Sequence, residues 1–268
     1  MIEHHRVEPG SKFRIRQVDA NSTVGFSGGK TKTAKVFEDL HQRLHGLQAM
    51  LWAEHRRRVL VVLQGIDTSG KDGTISHVFQ GVNPLGVNVA AWKAPSTEEL
   101  DHDFLWRIHA KVPGAGEIMI FNRSHYEAVL VERVHRLVAP EVWRPRYAQI
   151  NDFERLLAET DTTVLKFFLH IDRREQRKRL QARLADPEKR WKFRPEDLED
   201  RKRWNQFMVA YEEAISRTST GHAPWFVVPA NKKWYRNLVV ALVLVHTLEA
   251  MQLHYREPDP DLRKIKID

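Results

Sequence analysis

The residues best suited to chemistry stand in one short stretch, GIDTSGKDGT, which contributes Gly65, Asp67, Thr68, Ser69, Gly70, Lys71, Asp72, Gly73 and Thr74. The stretch satisfies the pattern G-x-x-x-x-G-K, whose glycines permit a tight turn with backbone N–H groups facing phosphate oxygens. A helix starting at the end of the turn adds the positive end of its dipole. Lys71 supplies a mobile positive charge for a phosphoryl group in transfer. Asp72 stands where a Ser or Thr usually ligates Mg²⁺, so a metal needs another ligand. Asp67 is the candidate, because a carboxylate among phosphate oxygens is unfavourable unless a cation neutralises it.

A second group lies in the run EIMIFNRSHYE. Phosphate-loop proteins usually carry a metal-binding acid at the end of this strand; here the position is Asn122, followed by Arg123. Asn is a poor ligand for Mg²⁺ but hydrogen-bonds well to a phosphate oxygen or a metal-bound water. Glu127 lies five residues on and can return a carboxylate to the same cleft. Arg123 offers the planar fork that matches phosphate oxygens, although a structural ion pair at a strand end is also compatible with it. His125 and Tyr126 are read as supporting or core residues, not as catalysts. A third segment, DRREQRKRLQARLADPEKRWKF, concentrates cations where small-molecule kinases carry a mobile lid that excludes water and supplies arginines. Most individual residues there are expected to be solvated partners of Glu and Asp.

These groups need a frame that brings them to one edge. Short apolar runs at 59–63, 87–92, 118–121, 164–171 and 225–228 read as buried strands. Helical patterns at 36–57, 73–80, 97–110, 125–138, 146–159 and 231–251 alternate with them. Alternation of this kind predicts a doubly wound α/β sheet, in which right-handed crossovers place all strand carboxyl ends on the ligand-binding edge. Residues 1–35, including SGGKTKTAK, read as an extended arm; residues 172–205 read as the charged lid; the tail REPDPDLRKIKID is expected to pack loosely. The whole chain, 1–268, is expected to be a single domain.

Composition narrows the partners. Lys and Arg exceed Asp and Glu by 43 − 35 = 8, and the sequence pI is about 9.7, which favours a polyanion or a phosphate-rich substrate. Cysteine is absent, which excludes disulfides, thiolate metal sites and cysteine nucleophiles. No run of 18 apolar residues occurs, so no membrane partner is expected, and no secretory leader is seen, which makes the cytoplasm the expected location.

Taken in order, the loop, the FNRSHYE run and the charged lid make the chain resemble the family-2 polyphosphate kinases. VVLQGIDTSGKDGTISHV, KAPSTEELDHDFLWRIH, GEIMIFNRSHYEAVLVERVH, INDFERLL, DPEKRWKF and APWFVVPANKKWYRNL carry the likeness across nearly the whole chain. The resemblance implies a thymidylate-kinase-like P-loop kinase fold, with a five-stranded parallel sheet flanked by helices and a helical lid. It implies reversible phosphoryl transfer between inorganic polyphosphate and AMP, ADP or ATP, with Mg²⁺ or alternatively Mn²⁺ as cofactor, in a homo-oligomer (dimer or tetramer). Residue by residue, Asp67 and Lys71 match the family's loop acid and lysine. Arg123 matches the arginine of its second motif, Arg133 an arginine on the following helix, and Lys93 a lysine near the phosphate site. Arg179, Lys189 and Lys192 fall in its lid. Many relatives have Asp at the position of Asn122; the NRSHYE version resembles the subgroup that accepts both AMP and ADP, with the carboxylate relocated to Glu127. Competing readings are an ATP-dependent nucleoside or nucleotide kinase, a nucleic-acid-binding P-loop protein and a polyphosphate-binding regulator without catalysis. No aromatic RNA-binding pattern or helix-turn-helix signal favours nucleic acid as a partner.

Overall fold

The five apolar runs become the strands β1 (Arg58–Gln64), β2 (Val87–Ala91), β3 (Ile118–Asn122), β4 (Thr162–His170) and β5 (Trp225–Pro229) of a computed structural model. It describes residues 1–256 and Ile267; the rest of the tail, expected to pack loosely, lies outside the described residues. The strands form one parallel sheet in the order β2-β3-β1-β4-β5. β1 sits at the centre, with Val61 in register with Ile120 of β3 and Leu165 of β4. A central parallel strand is covered on both faces, which is why its residues 59–64 are all buried and apolar except Gln64.

Helices cover the sheet. Gly29–Glu54 packs on Lys233–Ala250, which lies against β4 and β5, and Arg146–Glu159 lies against β4 with Trp204–Thr218 packed on it. The free edge of β5 is closed by the N-terminal arm: Val7 N–H donates to the Trp225 carbonyl at 2.8 Å, and Val227 N–H to that of His5 at 2.7 Å. The opposite edge, β2, is open, with Val89 52% exposed. Because every strand runs the same way, Gln64, Ala91, Asn122, His170 and Pro229 end on one side. The phosphate loop, Lys93, the second motif and the lid all begin there.

Three expected boundaries differ. The segment SGGKTKTAK is not all loop, since a helix begins at Gly29: Phe37, Leu40 and Leu44 anchor the helix in the core, and the buried Thr33 hydroxyl donates to the Gly29 carbonyl at 2.7 Å. Residues 97–110 divide into Thr97–Leu100 and Trp106–His109. Ser96 and Glu99 form a reciprocal cap on the first piece, and the Asp103 carboxylate takes the Leu105 N–H at 2.8 Å in a turn that separates the two. Residues 125–138 begin as a 3₁₀ turn, His125–Ala128, because the Ser124 hydroxyl accepts from Tyr126 N–H and tightens the chain; the helix Val131–Val134 follows. The lid is built from Arg173–Ala185, a 3₁₀ turn Arg190–Lys192 and Glu196–Lys202. Among the described residues no helix is long and apolar enough to cross a membrane.

Candidate active site

The phosphate loop links β1 to the helix Lys71–Val78, and its backbone requires glycine where the sequence has it. Gly70 adopts φ 102°, and a Cβ there would stand 1.8 Å from the Arg236 guanidinium. Thr68 also adopts positive φ, at 66°, a conformation that L residues with a side chain rarely hold without support. The support is cationic. Arg179 donates to the carbonyls of Thr68 (2.9 Å) and Ser69 (3.0 Å), and Arg236 donates to that of Ser69 (3.2 Å). The loop carbonyls are thereby tied to arginines on one side, while the first-turn N–H groups of the helix have no acceptor within it. Among the described residues the buried hydroxyls of Thr68 and Ser69 also lack a partner. Unpaired donors of this kind suit phosphate oxygens.

Lys71 is buried and donates to the Gly65 carbonyl at 2.8 Å. Burial, with Arg123 close by, lowers its pKa to about 8 against the opposing pull of Asp67, Glu127 and Asp72. Arg123 follows β3 at φ 66° and reaches Asp67 at 2.8 Å and Glu127 at 3.8 Å. Burial works against its charge, but Glu127 and Asp67 outweigh it and raise its pKa. Burial likewise opposes the Asp67 carboxylate, yet Arg123 and Lys71 hold its pKa below the usual value. Glu127 behaves the other way: burial dominates and its pKa is raised. The relocated carboxylate anticipated at Glu127 does stand in the same charge cluster as Asp67, Lys71 and Arg123. Asn122 donates to Asp72 at 2.8 Å, and Lys192 of the lid reaches the other Asp72 oxygen at 3.1 Å. The loop acid that replaces Ser or Thr is therefore one point where strand β3 and the lid both meet the loop.

The remaining sequence candidates are placed differently. Arg179 lies behind the loop as described, also donating to Ala230 and Asn231 carbonyls. Lys93 is exposed past the end of β2, its carbonyl accepting from Arg107. Arg133 donates to Tyr147 (2.9 Å) and Glu213 (2.7 Å) and lies over the Trp143 ring at 4.3 Å. Lys189 pairs with Asp186 inside the lid. None of these last three makes a hydrogen bond or ion pair to the loop or to the Asn122–Arg123 motif.

Four residues of the site were not anticipated. Arg236 sits in the quoted run NKKWYRNL, and its invisible role is to fill the space that Gly70 leaves. Gln64 donates to Ser124 and so links β1 to the second motif. Asp197 and Asp200 come from a lid read as cationic; their spacing of three puts both on one side of the helix Glu196–Lys202, a signal that could have marked them. Asp197 lies beside Asp67 and pairs with Arg183 at 3.3 Å, and Asp200 accepts from His135 at 2.6 Å. Burial and the adjacent Asp67 push Asp197 up to about 6.

Two carboxyl groups in contact is an arrangement that a divalent cation relieves. Among the described residues no group of three or more His, Asp or Glu side chains is placed to hold a metal. Mg²⁺ is often held by only one or two carboxylates, with water and substrate phosphates completing its shell. The all-oxygen pair Asp67 and Asp197 fits such an ion.

Residues 28–256 match the family model of polyphosphate kinase 2 (PPK2). The chain is 52% identical to the AMP/ADP-polyphosphate phosphotransferase of Meiothermus ruber, over 100% of both chains. It is 43% identical to the ADP-polyphosphate phosphotransferase of Rhodopseudomonas palustris, over 83% of this chain and 81% of that one. The crystal structure of polyphosphate kinase 2 from Arthrobacter aurescens superposes with a TM-score of 0.94 at 45% identity, covering 98% of this chain and 93% of the other. The chain belongs to the polyphosphate kinase 2 family, and its sheet and helices are the P-loop kinase fold expected from the sequence.

Proposed function

We propose that this member of the family transfers a phosphoryl group from inorganic polyphosphate to the terminal phosphate of AMP or ADP, giving ADP or ATP. The observation that carries the reading is the grouping of Lys71, Arg123, Asp67 and Glu127 between a phosphate loop and a lid that touches it through Lys192. An oxygen of the nucleotide's terminal phosphate attacks the end phosphorus of polyphosphate in line. The new P–O bond forms as the phosphoanhydride breaks, and the electron pair leaves on a chain shorter by one phosphate. Little covalent chemistry is asked of the protein, mainly alignment and neutralisation of charge on the equatorial oxygens. Lys71 and the N–H groups of the loop meet those oxygens, and Arg123, gripped from two sides by Asp67 and Glu127, presents its remaining donors to them. Lys192 and the other lid cations screen the polyanion and exclude water. A divalent cation held by Asp67 and Asp197, Mg²⁺ or Mn²⁺, would add neutralising charge at the phosphates. No phosphoenzyme is required, so the same groups serve the reverse direction, from ATP to polyphosphate.

The test is a panel of AMP, ADP, GMP and GDP with Mg²⁺ and polyphosphate as the only phosphoryl donor. ADP from AMP and ATP from ADP are the expected products. Product formed only when ATP is supplied as donor would make the chain an ordinary nucleotide kinase and sink this reading. Assembly into a dimer or tetramer belongs to the same proposal and is read by light scattering of the purified chain.

A further inference from the structure

Beneath the second motif lies a charged cluster that the proposed chemistry does not use. Lys166, in the middle of β4, and Glu154, on the helix Arg146–Glu159, have fully buried side chains and meet at 2.5 Å. Lys166 directs its ammonium at three oxygens: Glu154, the Tyr126 hydroxyl at 2.9 Å and the Thr218 carbonyl at 2.6 Å. The other Glu154 oxygen accepts from Tyr126 at 2.8 Å and stands 3.2 Å from the His125 ring nitrogen Nε2. Thr218 adds its hydroxyl at 3.0 Å from the Tyr126 hydroxyl and accepts from the Trp225 indole at 2.8 Å.

Stability alone gives little reason for such a pair. Withdrawing two charges from water costs as much as their attraction returns, and apolar residues of equal volume often replace a buried pair without loss. Position supplies the reason. His125 and Tyr126 lie between Arg123 and Glu127 in one turn, so the buried rings and the two site residues are fixed by the same five residues of backbone. That turn is irregular: Arg123 is at φ 66° and Ser124 is extended before a single 3₁₀ turn. Left-handed backbone at a bulky residue persists only where its surroundings over-determine it. Gln64, through the Ser124 hydroxyl at 3.0 Å, is the other brace.

We propose that Glu154, clamped to Lys166, is a positioning residue: its carboxylate grips His125 and Tyr126 from below and so fixes the turn that aims Arg123 and Glu127 at the phosphate loop. The inference rests on the site assigned above. It does not depend on which donor the site uses. Burial opposes the Glu154 carboxylate, but Lys166 and His125 outweigh it and hold its pKa below the usual value.

The test compares two variants with the unmodified chain, using whichever donor, polyphosphate or ATP, the unmodified chain accepts. Glu154→Gln with Lys166→Met removes both charges together while keeping an acceptor for Tyr126. Tyr126→Phe leaves the pair and removes only the hydroxyl that joins it to the turn. The expected result is kcat lowered about 10-fold in the double variant and about 5-fold in Tyr126→Phe, with KM for the donor within about 3-fold, because alignment and not binding is lost. A purely structural role predicts the opposite pattern, a lower melting temperature with kcat per folded molecule unchanged. A kcat within about 2-fold of the parent in a folded variant overturns the proposal. Should the double variant fail to fold, Tyr126→Phe decides by the same criterion.

Discussion

The turn at residues 123–127 has a charged cluster on each side, and the two are built on opposite terms. Below it, Lys166, Glu154, Tyr126, His125 and Thr218 form a buried group in which Lys166 meets Glu154 and each of its ammonium donors meets an oxygen. Above it, opposite charges also pair, but like charges stand beside one another as well. Burial, with Arg123 close by, lowers the Lys71 pKa, and burial, with Asp67 adjacent, raises that of Asp197. Among the described residues the hydroxyls of Thr68 and Ser69 there have no partner. The lower cluster meets every ammonium donor of Lys166 within the protein, leaving His125 Nδ1 without a partner among the described residues, and holds geometry; the upper leaves two loop hydroxyls open and suits phosphate with a cation. A buried polar network rigidifies as more of its groups are paired, and open hydroxyls beside the N–H groups of a phosphate loop suit an anion.

The contrast is broken most strongly at Lys71. Lys71→Ala is expected to lower kcat/KM by about 10³-fold or more, since the charge that meets the transferring group is lost. Its melting temperature should hold or rise, because a buried ammonium whose pKa is lowered is a cost to the fold. A fall of less than about 10-fold would place the phosphate site elsewhere. Arg123→Lys keeps the charge and loses the fork between Asp67 and Glu127; kcat should drop about 100-fold in steady-state assays, and a loss under about 3-fold would show that the fork is dispensable.

The pH profile sharpens the same point. As pH rises through about 8 the free enzyme's Lys71 loses its proton, so kcat/KM is expected to fall about 10-fold per unit above that point. Bound phosphates favour the charged amine, so the matching fall in kcat lies at higher pH. A kcat/KM flat to pH 10 would remove Lys71's charge from the account. The smallest effect is expected at Lys192, whose pair with Asp72 is partly exposed at 3.1 Å. Lys192→Ala should raise KM for polyphosphate about 2–5-fold at low salt, shrinking as ionic strength rises, with kcat little changed.

What the sequence disclosed followed the physics of short range. The phosphate loop was legible because its glycines and Lys71 are dictated by a local turn, and the strands because burial on both faces leaves continuous apolar runs. Arg123 and Glu127 were legible from the end of β3 alone. Other parts depend on partners distant in the chain. Nothing in the run of cations at 173–192 says that Arg179 turns to loop carbonyls while Lys189 stays with Asp186. The acids that complete the site, Asp197 and Asp200, come from 130 and 133 residues beyond Asp67, and only the folded lid brings them there. Arg133 was named through the family resemblance alone, and its contacts with Trp143, Tyr147 and Glu213 are equally invisible in the sequence. Helix ends were misplaced at Gly29 and at residue 103, where a side chain or a distant core contact outweighs local preference.

The central claim is that the upper cluster moves a phosphoryl group from polyphosphate directly to a nucleotide. Phosphorus-31 NMR of the pure chain with Mg²⁺, ADP and polyphosphate of defined length follows both partners at once. The account predicts that the ATP γ-phosphorus signal grows in step with the loss of polyphosphate residues, one for one, with no orthophosphate released. Orthophosphate appearing in place of ATP, or polyphosphate left intact while ADP is consumed, would contradict it.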